Sequence, residues 1–292
     1  MPAAATRKRR AADSATARPY SRGVTPQPAT PDRPRPLPRV KICLESRYRK
    51  LVRGLPQTIH YCPICKGHKR KRKNCGNCQG FGKISKDSVQ ELIGRTLLPA
   101  FKAREGKFHG AGREDVDVRM LGAGRPFVYE VVGAKILEPD LEALLARIHD
   151  QHGDRIRLDP FVRVPRERIA YWKEARFDKT YAADVELEED ADPAAVEALV
   201  GRELDISQRT PQRVVHRRAD VARERRVRLL AARLEAPRRL RIEVLCEHGT
   251  YVKEWISGDG GRTEPSLAGV LGIAGVCAAL DVLEVLTDSP AG

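Results

Sequence analysis

Two cysteine pairs, Cys62-Pro63-Ile64-Cys65 and, nine residues on, Cys75-Gly76-Asn77-Cys78, constrain this chain more than any other stretch. Each pair forms a tight knuckle that aims two thiolates at one point, and two knuckles supply the four soft ligands of tetrahedral zinc. A dithiol redox centre would need only one pair. Four thiolates leave no coordination position for water, so Cys62, Cys65, Cys75 and Cys78 are expected to hold a structural Zn2+ rather than a catalytic one. The spacer is expected to fold back as a hairpin, with Gly67, Gly76, Gly80 and Gly82 letting the backbone turn around the metal. The 7 cysteines of the whole chain are too few and too unevenly spread for a secreted disulfide scaffold. A reducing compartment, and hence a cytoplasmic protein, is expected.

Charge divides the 292 residues into three zones. Residues 1–39 carry nine basic and two acidic side chains together with eight prolines, and they lack the large apolar residues that a core needs. They are expected to form a disordered Pro/Arg-rich basic arm. Residues 40–86 carry thirteen basic side chains and one acidic, and are expected to form the basic zinc-binding module. Residues 87–292 hold 32 basic and 36 acidic side chains, so the net charge of +15 comes entirely from the front of the chain. Between the knuckles, Lys69, Arg70, Lys71, Arg72 and Lys73 follow one another with no acid nearby. A dense run of one sign can be a solvated loop, but it is better suited to the phosphates of a nucleic acid. The longest uncharged apolar stretch, Leu267 to Leu280, is broken by three glycines and is too short to span a bilayer, so no membrane partner is expected.

The third zone reads as one α+β domain. A helix is expected from an N-cap at Asp87 or Ser88 toward Pro99, and another opened by Pro139, with Leu141, Leu144, Leu145 and Ile148 at helical spacing and Gly153 as its stop. Alternating or β-branched runs predict strands over residues 127–136, 179–187, 227–234 and 240–246, the last two joined at Ala236-Pro237-Arg238. No phosphate-binding glycine loop or dinucleotide fingerprint occurs, so no nucleotide cofactor is expected. Residues 107–127 mix glycines with alternating acids and bases and predict a loop. Its carboxylates can form a surface ion-pair network, or one of them can be a nucleophile held by arginine beside an incoming phosphodiester.

Gly112-Arg113-Glu114-Asp115 in that loop resembles the Gly-Arg-x-Asp motif of pseudouridine synthases. The wider pattern resembles the Pus10 family of archaeal and eukaryotic-type tRNA pseudouridine synthases. Its blocks occur here in the family's order: Arg53 to Thr58, the two knuckles, Phe108 to Phe127, Lys179-Thr180-Tyr181, Ile206 to Pro211, His216 to Asp220, and Gly249 to Glu254 leading to Ser257-Gly258-Asp259.

The resemblance implies a pseudouridine synthase fold with a mixed or antiparallel sheet and flanking helices, an isomerase that needs no organic cofactor, and Asp115 as its reacting carboxylate. In such an enzyme Asp115 attacks the ribose or removes its 2′ proton, while Asp117 gives turn or ion-pair support. The resemblance also implies that Tyr181 stacks beneath the target uracil and that Lys253 is the cation paired with the aspartate. Tyr251 and Arg113 join them in binding substrate, with Arg113 at a backbone phosphate or supporting Asp115. The implied partner is the T-arm of tRNA, at uridine 54, uridine 55 or both, with a monomeric enzyme gripping it through Lys69 to Lys73.

Members of the family usually carry a longer N-terminal RNA-binding THUMP domain, whereas here about 40 Pro/Arg-rich residues precede the matching blocks. The arm and zinc module are expected to take its place, or the chain acts on another RNA or with a partner. The competing class is a non-catalytic zinc-containing RNA-binding protein or RNA chaperone. It would explain the charge, but not the joint presence of Asp115, Tyr181 and Lys253 in their motifs.

Overall fold

Leu44, Ser46, Tyr48 and Lys50 alternate with Glu45, Arg47 and Arg49, which gives an extended segment two unlike faces because successive strand residues point to opposite sides. In the computed structural model, which describes residues 40–287, this segment is β1 (Lys41–Lys50), and its Leu44, Tyr48 and Lys50 are fully buried. The basic arm expected over residues 1–39 lies outside the described residues.

Composition assigns β1 to the zinc module, and the structure corrects that boundary. β1 pairs antiparallel with β3 (Arg119–Val132), from Lys41 opposite Val132 to Lys50 opposite Met120. It also pairs with β4 (Ile156–Leu158) and β5 (Val162–Val164), and belongs to the same compact unit as the rest of the sheet. The zinc segment is therefore an excursion out of the sheet after β1, closed by a bridge between Tyr61 and Lys83 and by the Ile84 N–H donating to the His60 carbonyl.

The other strands are β2 (Glu105–Gly110), β6 (Lys179–Leu187), β7 (Glu203–Arg209), β8 (Ala222–Ala236), β9 (Arg239–Cys246), β10 (Thr263–Glu264) and β11 (Gly275–Val285). Among the described residues all eleven strands form one sheet in the order β10-β7-β8-β9-β6-β11-β3-β1-β4, with β2 added on β3 and β5 on β1. Every pairing is antiparallel except that of β11 with β3, which run parallel at Asp281 opposite Arg119. The sheet is therefore mixed, and the α+β class holds.

β6 spans the residues that alternation predicts, and β8 and β9 meet at the predicted turn. The loop expected over residues 107–127 is shorter, because β2 covers its start and β3 begins at Arg119; only residues 111–118 connect them. Gly122 and Gly124, both with positive φ, interrupt the alternation there, and cross-strand pairing with β1 and β11 on either side of them restores the strand.

The helices are α1 (Lys69–Arg72), α2 (Val89–Ala100), α3 (Leu141–His152), α4 (Glu167–Glu174), α5 (Pro193–Glu197), α6 (Val252–Ser257) and α7 (Leu267–Leu271), with a 3-10 turn over Gln212–Arg217. Ser88 caps α2: its Oγ accepts from the Glu91 N–H at 3.2 Å and its hydroxyl donates to Glu91 Oε2 at 2.8 Å. Val89, Leu92, Ile93 and Leu97 then fall on one face and are fully buried. Asp140 caps α3 by accepting from the Ala143 N–H at 2.9 Å, and Gly153 ends it, as the spacing predicts. Among the described residues no helix is long and apolar enough to cross a membrane.

If β1 is integral to the sheet, Leu44→Ala should lower the stability of the whole folded unit by about 2–5 kcal/mol, the usual cost of truncating a buried leucine. Denaturant unfolding followed by far-UV circular dichroism reads this directly. An unchanged midpoint would return β1 to the zinc module.

Candidate active site and metal centre

The segment between β2 and β3 presents carboxylates in succession, and the structure sends them in opposite directions. Glu114 points inward and is buried; Asp115 and Asp117 are exposed. Beneath the loop, Glu114 Oε2 lies 3.0 Å from Arg125 Nε and Oε1 lies 3.6 Å from Lys50 Nζ. The Tyr48 hydroxyl donates to the same carboxylate at 2.8–2.9 Å. Burial first, and Glu114 second, push the Tyr48 phenol well above its ordinary pKa, so it stays protonated and remains a donor. Gln57 Nε2 donates to the Tyr48 oxygen at 2.8 Å and to the Gly112 carbonyl at 3.0 Å.

The same buried cations hold the backbone of the loop. Arg125 donates to the Ala111 carbonyl at 2.8 Å, and Lys50 donates to the carbonyls of Leu55, Asp115 and Val116 at 2.8, 3.1 and 3.3 Å. Gly112 has φ +80°, and a Cβ there would sit 3.0 Å from the Arg125 guanidinium, so glycine suits this position both conformationally and sterically. On the far side of the loop, buried Asp281 of β11 receives a two-pronged contact from Arg119, at 2.9 and 2.6 Å, and one from Arg53 at 2.7 Å. Arg53 also donates to the Asp117 carbonyl at 2.8 Å. Both ends of residues 111–118 are thus tied down by buried charge.

Asp115 is half-exposed, and Arg213 is its ion-pair partner, with 3.1 Å between Nη2 and Oδ2. Arg213 is held in turn by buried Glu254, which accepts from its Nε at 2.5 Å. Here the structure departs from what the resemblance implies: Lys253 pairs with Asp117 at 2.6 Å, and the cation on Asp115 is Arg213. Partial burial would raise the Asp117 carboxyl, but Lys253 more than offsets it and holds the group below the ordinary carboxylate range. Arg213 escaped sequence reasoning because it lies between the two matching blocks that end at Pro211 and resume at His216. Its place in the 3-10 turn directly after Pro211 is the signal that could have found it.

The separate motif blocks converge around this pair. The Gln208 amide clamps Tyr251, its Oε1 accepting from the Tyr251 N–H at 2.8 Å and its Nε2 donating to the Tyr251 carbonyl at 3.1 Å. Tyr251 sits at the N-terminus of α6, just ahead of Lys253 and Glu254, and its hydroxyl accepts from Arg218 at 2.7 Å. Arg209 and Arg262 both pair with Asp220, which joins the 206–211 and 216–220 blocks to the segment before β10. Trp255 is fully buried and packs in the core.

Tyr181 lies in the middle of β6, between Val244 of β9 and Val282 of β11. Burial first, then Cys246, pushes its phenol far above the ordinary value. Two residues earlier on the same strand face, Lys179 is buried and donates to the Phe177 carbonyl at 2.6 Å. Burial, then Arg125, brings its pKa down to about 8. Arg113 is exposed and has no hydrogen bond or ion pair with a described residue.

The four predicted cysteines converge: one sulfur from each lies within 4.8 Å of all the others, and all four are buried. The closest sulfurs, Cys62 to Cys75 and Cys65 to Cys78, are 3.8 and 3.6 Å apart. A tetrahedron with metal–sulfur bonds of about 2.3 Å needs sulfurs roughly 3.8 Å apart, whereas a disulfide needs about 2.0 Å. The donor set therefore fits a four-thiolate metal. Asn77 Nδ2 donates to Cys62 Sγ at 3.2 Å and the Gly82 N–H to Cys78 Sγ at 3.1 Å. The Cys65 N–H, followed by Asn77, draws the Cys62 thiol below its ordinary value, whereas burial pushes the Cys65 thiol up to about 11.

Between the knuckles the structure corrects the expected hairpin: Lys69–Arg72 form the helical turn α1. Lys69, Arg70, Lys71, Arg72 and Lys73 are all exposed. They have no hydrogen bond from a side chain and no ion pair with a described residue, and none joins the Asp115 site.

The fold is a mixed α+β sheet that carries the arginine-paired Asp115 and a cluster of four converging cysteines, and comparison with known proteins supplies the family. The family model described as "Pus10, C-terminal" matches residues 43–286. The protein named tRNA pseudouridine synthase Pus10 of Methanothermobacter marburgensis is 46% identical over 249 residues, covering 84% of this chain and 60% of its own length. Its namesake in Methanopyrus kandleri is 43% identical over 251 residues, covering 85% of this chain and 56% of its own length. This chain belongs to the Pus10 family and spans between half and two thirds of the length of these relatives. Among solved structures, "Crystal Structure of a Cbf5-Nop10-Gar1 Complex" contains a chain of 16% identity at a TM-score of 0.39, over 68% of this chain and 44% of that one.

Adjacent residues of this loop should respond oppositely to substitution. Glu114→Ala strands two buried cations and should cost about 3–5 kcal/mol, whereas Asp115→Ala removes a half-exposed pair and should cost no more than about 1 kcal/mol. Thermal unfolding of the two variants side by side checks this; equal losses would show that Glu114 is not the anchor.

Proposed function

We propose that this chain isomerises uridine to pseudouridine in tRNA, with Asp115 as the reacting carboxylate. The observation that carries the proposal is Asp115 itself. It is the exposed acid of a loop whose neighbouring acid is buried as an anchor, and it faces Arg213, which Glu254 holds in place. The proteins of this family cited above carry the name tRNA pseudouridine synthase.

The reaction breaks the N1–C1′ glycosidic bond, turns the uracil and forms a C5–C1′ bond; the C5 proton leaves and N1 gains one. Electrons balance within the base, so no oxidant or organic cofactor takes part. Asp115 attacks the ribose or takes its 2′ proton, and Arg213 keeps the carboxylate aimed and charge-balanced in either route. Tyr181 lies under the turning uracil. Tyr251, Lys253 and Arg113 bind the surrounding RNA, with Arg113 free to meet a backbone phosphate. Extracting a stacked uridine costs a few kcal/mol, which phosphate contacts and pocket stacking offset.

The T-arm, at uridine 54 or 55, is the target we assign, with Lys69, Arg70, Lys71, Arg72 and Lys73 gripping the phosphates nearby. Zinc is the metal we assign to the four cysteines, and its work is to hold that module in shape. The enzyme acts as a monomer in the cytoplasm.

Incubating the purified protein with unmodified tRNA transcripts and mapping pseudouridine tests the reaction. Product should form in the T-arm, and Asp115→Asn should slow it by more than about a hundredfold. Failure to form product in any tRNA, with binding intact, would favour the zinc-dependent RNA-binding or chaperone class instead. For the metal, the purified protein should contain stoichiometric zinc. Stripping it should unfold residues 59–86 and weaken tRNA binding; unchanged affinity in demonstrably metal-free protein would reject the gripping role.

A further inference from the structure

We propose that the zinc module carries a stacking site for unpaired RNA bases, built on Tyr61 and Phe81. This inference rests on the reading that the chain handles RNA, and it assigns a second contact surface outside the Asp115 site.

Four large apolar side chains are exposed on this small module: Tyr61 at 53%, Ile64 at 70%, Phe81 at 51% and Ile84 at 51%. The core does not explain them, since the buried cluster of the module is its four cysteines alone. The Tyr61 ring is seated rather than free. Tyr61 lies against Gly67, where an added Cβ would come within 2.5 Å of the ring, and the aliphatic stem of Arg72 lies against neighbouring Gly82, at 3.1 Å from an added Cβ. Two side-chain-free residues with φ of +72° and +83° thus form a floor with an aromatic ring at one side and the aliphatic stem of Arg72 at the other. Lys83, opposite Tyr61 in the bridge, stands 5.2 Å from the centre of the Phe81 ring.

The surrounding charge selects the occupant. Residues 60–86 contain eight Lys and Arg and no Asp or Glu. A partner must therefore be polyanionic and must also offer flat apolar surfaces to half-exposed rings. Single-stranded or looped RNA has both, with phosphates for Lys69 to Lys73 and base faces for Tyr61 and Phe81; a paired helix keeps its bases stacked within itself. An anionic membrane shares the charge but would receive inserted side chains rather than a ring fixed, like that of Tyr61, against a backbone glycine.

The test compares an RNA hairpin carrying an unpaired loop with a blunt duplex of equal phosphate number, by fluorescence anisotropy over a range of salt. Tyr61→Ala and Phe81→Ala should each weaken loop binding by roughly tenfold or more. They should leave duplex affinity and the slope of log Kd against log salt unchanged, whereas Tyr61→Phe should bind like the parent. Zinc content equal to the parent's certifies that the module is folded. Equal weakening for both RNAs, or none for the loop, overturns the proposal. So does binding to phosphatidylserine vesicles that depends on Tyr61 and Phe81 while loop binding does not. Pseudouridine formation with loop binding unaffected by Tyr61→Ala and Phe81→Ala would sink the stacking site and spare the catalytic assignment; ring-dependent loop binding without pseudouridine would do the reverse.

Discussion

The buried carboxylate of Glu114 is the contact on which the rest of the site depends. It gathers Arg125 from β3, Lys50 from β1 and the Tyr48 hydroxyl from β1 under one loop. Two cations and one anion out of water are expensive unless their remaining donors find acceptors. Here the acceptors are carbonyls of the loop itself, including that of Asp115. The loop therefore satisfies the cluster and the cluster fixes the loop. The adjacent Asp115 is held out at the surface as a consequence, because successive residues of a short connection pinned at both ends cannot both turn inward.

The same division of labour appears in how charge is spread over the chain. The sheet unit is almost neutral, and its arginines are largely consumed by named acids: Arg119 and Arg53 by Asp281, Arg213 by Asp115 and Glu254, Arg209 and Arg262 by Asp220. In the zinc module no acid is at hand to pair with the cations of α1, and they remain exposed. Paired arginines hold a geometry, whereas unpaired ones can release counterions to a polyanion. Net charge summed over the chain conceals that distinction.

Much of this was readable from residues. The spacing of the cysteines predicts four converging sulfurs, Asp87 or Ser88 and then Pro139 mark where two helices start, and the alternation over residues 179–187 matches β6 end to end. What escaped did so for physical reasons. β1 alternates clearly, but its basic odd face, Arg47 and Arg49, resembles the cationic module that follows, and a compositional window merges the two. The start of β3 was hidden by Gly122 and Gly124, whose place in a strand is fixed by partners distant in sequence. Glu114 occupies a position its motif leaves free, and burial alone distinguishes it from Asp115. The exchange of partners, Arg213 on Asp115 and Lys253 on Asp117, depends on how the turn after β7 meets α6, which spacing along the chain does not encode.

That exchange gives the two acids of the loop cations of different kinds. A guanidinium is planar and holds its charge over the whole physiological range, so Arg213 can keep two carboxylates, Asp115 and Glu254, in fixed relation without losing its proton to either. A lysine at the same place would present a point charge on a flexible stem, free to follow an arriving phosphate. Lys253 pairs with the largely exposed Asp117, a contact that is solvated and correspondingly weak. The site thus separates a firmly held cation from a weakly held one. This follows from two neighbouring side chains of α6 facing different partners, buried Glu254 toward Arg213 and partly exposed Lys253 toward Asp117.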